Sequence, residues 1–223
     1  MKSFKSFTKS VIESKDATTL RHDEPTAKEH RKMQIPHDLF EVDSDKKLVK
    51  DPPMNTSDEV KAEITELQDR LELVKNNEER FAKWDVDIPK PFIEYMEEND
   101  LSYDKDMIEK IIEQSVAIIL KQKYIFRRPR PEKLAPLIGM KLTPLGSKTT
   151  QSPAYPSGHA AQGELLGLYL ASVHPDHSER LLEMGRECGE SRVDAGVHYP
   201  SDLDSGLKLA NMLFKSMQKE NNV

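Results

Sequence analysis

Apolar residues recur at helical spacing from residue 57 onward, and nowhere do they alternate as in a half-buried strand. In "NTSDEVKAEITELQDRLELVKNNEERFAKW", Val60, Ile64, Leu67, Leu71 and Val74 form one apolar stripe. Ser57 stands where an N-cap belongs, with Glu59 and Glu63 following. The stripe is short for a coiled coil, so it predicts a helix packed on the domain body. "PKPFIEYMEEN" reads as a short helix after Pro89, and "YDKDMIEKIIEQSVAIILKQKYIF" as a long, largely buried one. The apolar positions of the latter are Met107, Ile108, Ile111, Ile112, Val116, Ile119 and Leu120. Further helices are predicted at about 158–173, 177–192 and 201–218, after an irregular connection at 127–156 rich in Pro, Gly and Thr. The expected class is all-α: a single bundle domain over residues 56–223, with functional residues on loops and helix ends.

Residues 1–55 break this pattern. Lys, Ser, Thr, Asp and His dominate, prolines recur and apolar residues are sparse, which predicts a poorly ordered N-terminal arm. Within it Phe4, Phe7, Val11 and Ile12 fall at helical spacing among Lys2, Lys5, Lys9 and Lys15. Two readings stay open: a frayed terminus, or a segment that docks a partner or a membrane surface. Lysines interrupt it too often for a secretory signal, and Glu13, Asp16 and the lack of arginine argue against a mitochondrial presequence. The stretch also resembles the N-terminal targeting peptides of large tailed-phage head proteins, which implies a phage-associated location. No uncharged run reaches the length of a membrane span, so the expectation is a soluble, cytoplasmic protein.

Charge and cysteine content narrow this further. A formal net charge of −6 argues against general nucleic-acid binding, while leaving room for a local basic patch. The one cysteine, Cys188, permits no intrachain disulfide and suits a reducing compartment. A homo-oligomer is left open.

Four stretches carry candidate chemistry. "KQKYIFRRPRP" crowds Lys121, Lys123, Arg127, Arg128 and Arg130 at the end of the long helix. It reads as a solvated helix C-terminus, a patch for nucleic acid or an acidic partner, or an anion pocket. Lys121 and Arg128 are two helical turns apart and would share a face if the helix continued. "AYPSGHA" places Ser157 as an N-cap, and Gly158 and His159 in the first turn of a helix, where free N–H groups attract phosphate. "ESRVDAGVHYPSD" ends one helix with Arg192 and sets His198 four residues before Asp202, a spacing that lets the carboxylate hold one ring nitrogen. Ser201 reads as the cap of the last helix, with Asp204 at its third position. "HPDH" (His174 and His177) has metal-like spacing but no third ligand nearby, and His22, His30 and His37 read as solvated. There is no Gly-rich phosphate loop, no Cys/His zinc cluster and no G-x-S-x-G elbow.

In order, Lys121-x6-Arg128-Pro129, then Pro156-Ser157-Gly158-His159, then Ser191-Arg192-x5-His198 resemble the three-part signature of the type 2 phosphatidic acid phosphatase (PAP2) superfamily. That group includes bacterial non-specific acid phosphatases and vanadium haloperoxidases. The resemblance covers about residues 105–215 and is nearest to the soluble class A acid phosphatases in "GRECGESRVDAGVHYPSDLDSG". It implies hydrolysis of small phosphate monoesters, with His198 as nucleophile, Asp202 holding its ring and His159 as general acid. Lys121, Arg128, Ser157, Gly158 and Arg192 would hold the phosphate. It also implies that no cofactor is required, although vanadate or phosphate can occupy the same pocket. Two alternatives accompany it: a vanadate-dependent haloperoxidase, and a non-catalytic phosphate-binding or structural module.

Overall fold

The computed structural model describes residues 16–74 and 78–219. Among them there is no strand. The helices are α1 (Ala27–Met33), α2 (Asp58–Val74), α3 (Glu78–Asp85), α4 (Pro89–Glu98), α5 (Lys105–Phe126), α6 (Pro131–Leu134), α7 (Gly158–Val173), α8 (Ser178–Asp194) and α9 (Pro200–Lys219). Short 3₁₀ turns occupy Ala135–Ile138 and Pro175–His177.

Helix α7 is apolar almost all round, so it can be buried only by enclosure, and α5, α8 and α9 pack against it. Small residues set how closely. A Cβ added at Gly185 would come within 2.8 Å of the Gly163 carbonyl oxygen, so α7 and α8 meet backbone to backbone. At Gly206 an added Cβ would come within 2.6 Å of the Ser157 carbonyl oxygen, so α9 is pressed onto the N-terminus of α7. That contact brings the last two sequence motifs to one place. Around it Trp84, Phe92, Met96, Ile111, Ile118, Leu165, Leu166, Leu209 and Leu213 form the main core.

Two of the three expected caps form. The Ser57 hydroxyl accepts from Val60 N–H at 3.3 Å, and the Ser157 hydroxyl accepts from Ala160 N–H at 3.3 Å. The α2 stripe is buried at Val60, Ile64, Leu67 and Leu71. Helix α5 ends at Arg127, whose left-handed backbone (φ 53°) turns the chain away from the helix axis.

The N-terminal arm is corrected in part. Residues 1–15, including the Phe/Lys stretch, lie outside the described residues, but residues 16–55 are applied closely to the body. Leu39 and Phe40 are buried in the main core, and Ala17 beside Val60 and Ile64. Two glutamines on one face of α5 substitute for a backbone ladder. Gln114 Oε1 accepts from Leu39 N–H at 2.8 Å, and Gln122 Oε1 accepts from Leu48 N–H at 2.8 Å. Gln122 Nε2 donates to the Ser44 and Lys46 carbonyls. The irregular stretch 39–48, which follows α1, thus has backbone groups satisfied by side chains without forming a helix or strand of its own.

Among the described residues no helix is long and apolar enough to cross a membrane, and no group of three His, Cys, Asp or Glu side chains could hold a metal ion. The "HPDH" histidines are engaged separately: His174 Nε2–H donates to the Ser102 carbonyl at 2.7 Å, and His177 Nδ1 hydrogen-bonds the Tyr95 hydroxyl at 2.9 Å.

Candidate active site

A cavity of about 870 Å³ opens between α1, α5 and the start of α7. Lys123, Arg130, Gly158, His159 and His198 line it on one side. Ile112, Val116, Ile119 and Leu120 of α5 supply an apolar wall, and Lys28, Lys32 and Lys148 also border it.

The chain reaches His198 through a tight turn. Helix α8 stops at Asp194, and Gly196 takes the left-handed conformation (φ 71°) that closes a helix C-terminus. Helix α9 then starts at Pro200, one residue before the expected Ser201 cap. At its third position stands Asp202, not Asp204, and Asp202 Oδ2 accepts from the preceding Tyr199 N–H at 3.0 Å. The same oxygen accepts from His198 Nδ1–H at 3.0 Å. Nε2 of His198 is thereby the unprotonated nitrogen, and it accepts from the Arg130 guanidinium at 3.0 Å. Burial, followed by the charge of Arg130, holds His198 well below its ordinary value. Burial alone would push the Asp202 carboxyl up, but Arg128 and His198 hold it at about 2.

His159 occupies the first turn of α7, half-buried, where Nε2–H donates to the Asp85 carbonyl at 3.1 Å. Burial and the nearby Arg192 push its pKa down to about 3. Arg192 stands behind the cavity. Its guanidinium donates to Asp85 Oδ1 at 2.7 Å and to the Ser147 and Thr149 hydroxyls at 3.0 Å, and lies over the Phe81 ring. Asp85 therefore touches both His159, through its carbonyl, and Arg192, through its carboxylate. Nothing in the sequence singled it out. The Ser147 and Thr149 hydroxyls and the Lys148 N–H also converge on that carboxylate.

The structure corrects the first motif. Lys121 points away from the cavity, pairing with Asp45 at 2.8 Å and with the Ser44 hydroxyl at 3.1 Å. Arg128 is buried between Glu63 and Asp202 and does not line the cavity. The cations of this motif that face the cavity are Lys123 and Arg130. Residues two apart on a helix lie about 200° apart around its axis, so Lys121 and Lys123 face nearly opposite ways. The helix stops at Phe126, so Lys121 and Arg128 do not share the face expected of a continuous helix. "KQKYIFRRPRP" contains the lysine-x6-arginine-proline spacing twice, and the second copy, Lys123 to Arg130-Pro131, is the one the fold turns inward. Lys123 Nζ donates to the Pro153 and Ala154 carbonyls, and Arg130 donates to the Ser152 and Val197 carbonyls. Burial lowers both: Lys123 well below its ordinary value, Arg130 to about 10. Ser157 is corrected as well. It is fully buried, its hydroxyl caps α7, and only its neighbours Gly158 and His159 reach the cavity.

The two imidazoles predict a pH-dependent stability. Both pKa values lie below 6.5 in the fold, so the unfolded chain takes up the protons first. Their contribution is complete above about pH 6.5 and is lost as pH falls, that of His159 down to about pH 3. The two aspartates held at about 2 add a further loss only below about pH 4. Thermal melts should show a midpoint lower by roughly 5 °C at pH 4 than at pH 7. His159→Gln should shrink that difference, and an unchanged slope in the variant would contradict the assignment.

Residues 110–217 match the PAP2 superfamily. Over 65 residues the chain is 42% identical to a non-specific acid phosphatase of Salmonella typhimurium, covering 29% of this chain and 26% of the relative. Over 58 residues it is 40% identical to an acid phosphatase of Zymomonas mobilis, covering 26% and 22%. The chain thus spans about a quarter of the length of these curated relatives. Among solved structures, a bacterial vanadium-dependent iodoperoxidase superposes with a TM-score of 0.70 at 16% identity, over 92% of this chain and 61% of the other. A transmembrane PAP2-type phosphatidylglycerolphosphate phosphatase from Bacillus subtilis superposes with a TM-score of 0.52 at 17% identity, over 74% and 87%. Both share the all-helical fold. The segment that matches the PAP2 superfamily, residues 110–217, carries Lys123, Arg130, His159, Arg192 and His198.

Proposed function

We infer that this protein hydrolyses phosphate monoesters through a phosphohistidine formed on His198. The observation that carries this reading is the His198 ring. Its Nδ1–H is fixed by Asp202, and its Nε2 lone pair sits beside Arg130 in a cavity that also holds Lys123, Gly158 and His159. A phosphoryl group entering there draws Arg130 and Lys123 onto its oxygens and leaves Nε2 free to attack. A P–N bond forms as the ester P–O bond breaks, and a proton from His159 passes to the departing alkoxide. Water, deprotonated by the same histidine, then attacks phosphorus and breaks the P–N bond. His159 Nε2–H is held by the Asp85 carbonyl, so Nδ1 carries the transferable proton. The bound phosphate dianion restores that proton by offsetting the cations that keep the free ring neutral. The guanidinium and ammonium groups meet the developing charge in place of a metal.

The test is hydrolysis of p-nitrophenyl phosphate in EDTA. Turnover should persist, orthovanadate should inhibit it, and kcat, which reports the substrate-bound ring, should be bell-shaped with an optimum on the acid side of neutral. Loss of turnover on chelation would overturn the metal-free reading. A second reading follows from the fold shared with the iodoperoxidase. Vanadate has the shape of phosphate, and Lys123, Arg130 and His198 would hold it. Bound there, it would supply peroxide activation for halide oxidation. Iodide oxidation by peroxide after vanadate loading, without phosphatase turnover before it, would favour that reading.

A further inference from the structure

Glu63 and Arg128 do not line the cavity, yet a buried chain of polar contacts runs from them to His198. Glu63, on α2, accepts from Arg128 at 2.9 Å through Oε2 and from Ser201 N–H at 2.7 Å through Oε1. Arg128 donates to Asp202 Oδ1 at 2.6 Å and to the Ser201 hydroxyl at 2.8 Å. Its guanidinium lies 3.8 Å over the Tyr199 ring, which fixes its plane. Glu63, Arg128 and Asp202 are all buried. Glu63 lies outside the segment 110–217 that matches the family, so the family's three-part signature does not include it.

We propose that Glu63 and Arg128 are positioning residues, which fix the Asp202 carboxylate and, through it, the tautomer and aim of His198. The argument is one of occupancy. A carboxylate has two oxygens, and each can accept several donors. With the Arg128 fork spanning Asp202 Oδ1 through Nη1 and Glu63 through Nη2, Oδ1 is held, and Oδ2 is left for the ring N–H of His198 and the Tyr199 N–H. A carboxylate free to turn would let the ring flip or adopt the other tautomer, whose Nε2 carries a proton and no lone pair. Glu63 balances a guanidinium that would otherwise add to Lys123 and Arg130, the other charges facing the pair. The role in turnover rests on the phosphatase reading above; the role in setting the ring does not.

The experiment therefore has two arms. In the first, the full chain is labelled with 15N-histidine and His198 is followed by NMR, without substrate. The wild type should show a neutral ring protonated at Nδ1. Arg128→Lys, which keeps the charge but loses the fork, should show mixed tautomers. Arg128→Met removes a cation and should raise the ring's pKa, whereas Glu63→Gln removes an anion and should lower it. In the second arm, Arg128→Lys should reduce kcat for p-nitrophenyl phosphate about 100-fold, with KM changed by less than about threefold. If the arginine variants fail to fold, Glu63→Gln, which keeps the side-chain shape, carries both arms. A His198 ring and kcat unaltered in the folded variants would overturn the proposal. An inactive wild type would instead overturn the phosphatase reading, and the NMR arm would still decide this one.

Discussion

His198→Ala should lower the turnover of p-nitrophenyl phosphate by at least about 10⁴-fold, because it removes the atom proposed to bond to phosphorus. The ring is inside a formed cavity, with both nitrogens hydrogen-bonded, so the substitution deletes the nucleophile and leaves the oxyanion cage standing. Rapid mixing with 32P-labelled substrate should trap a protein-bound phosphate that survives alkali and is lost in acid. His198→Ala should give none. His159→Ala should behave differently. p-Nitrophenolate departs without a proton, so the phosphoenzyme should still form, but its hydrolysis should slow and the trapped species should accumulate. A variant lacking His198 that turns over at the wild-type rate would remove the nucleophile assignment.

The second large effect separates the two copies of the basic motif. Arg130→Met should lower kcat/KM about 10³-fold, in the range for losing a pre-placed donor to the developing charge. Lys123→Met should lower it about 10²-fold. Lys121→Met should stay within about threefold, since that ammonium is paired with the exposed Asp45 on another side of α5. Arg130 also donates to two carbonyls, so some of its loss could be structural. Inorganic phosphate inhibition, read beside a circular dichroism melt, separates the two: a folded Arg130 variant should lose phosphate affinity. Wild-type kinetics in Arg130→Met, with a collapse in Lys121→Met, would return the site to the first copy.

That contrast shows what the sequence can and cannot reveal. Helix α7 was legible at both ends, because Ser157 and Gly158 mark its start and its apolar run marks its length. His198 and Asp202 were legible because their four-residue spacing brings ring and carboxylate together as α9 begins. The basic motif was ambiguous because it occurs twice, two residues apart. The left-handed residue that ends α5 decides between them, and an arginine gives no local sign of taking that conformation. Asp85 and Glu63 were invisible for another reason. Each lies in a charged helix where carboxylates are ordinarily solvated, and only tertiary packing sets an arginine against it. The segment from residue 16 to 55 was misread because its buried apolar anchors, among them Ala17, Leu39 and Phe40, are few and its other anchors are polar. Gln114 and Gln122 carry no local sign of this role in the sequence, yet they help hold that segment down.

Those two glutamines bear on where this gene product can be shortened. A fragment begun at residue 110, where the family match starts, would keep every cavity cation of the signature but strip Gln114 and Gln122 of the chain they bind. It would also uncover the face of α5 that Leu39 and Phe40 shield, and leave Arg128 with one carboxylate in place of two. The minimal unit for expression therefore begins well upstream of its recognisable catalytic words.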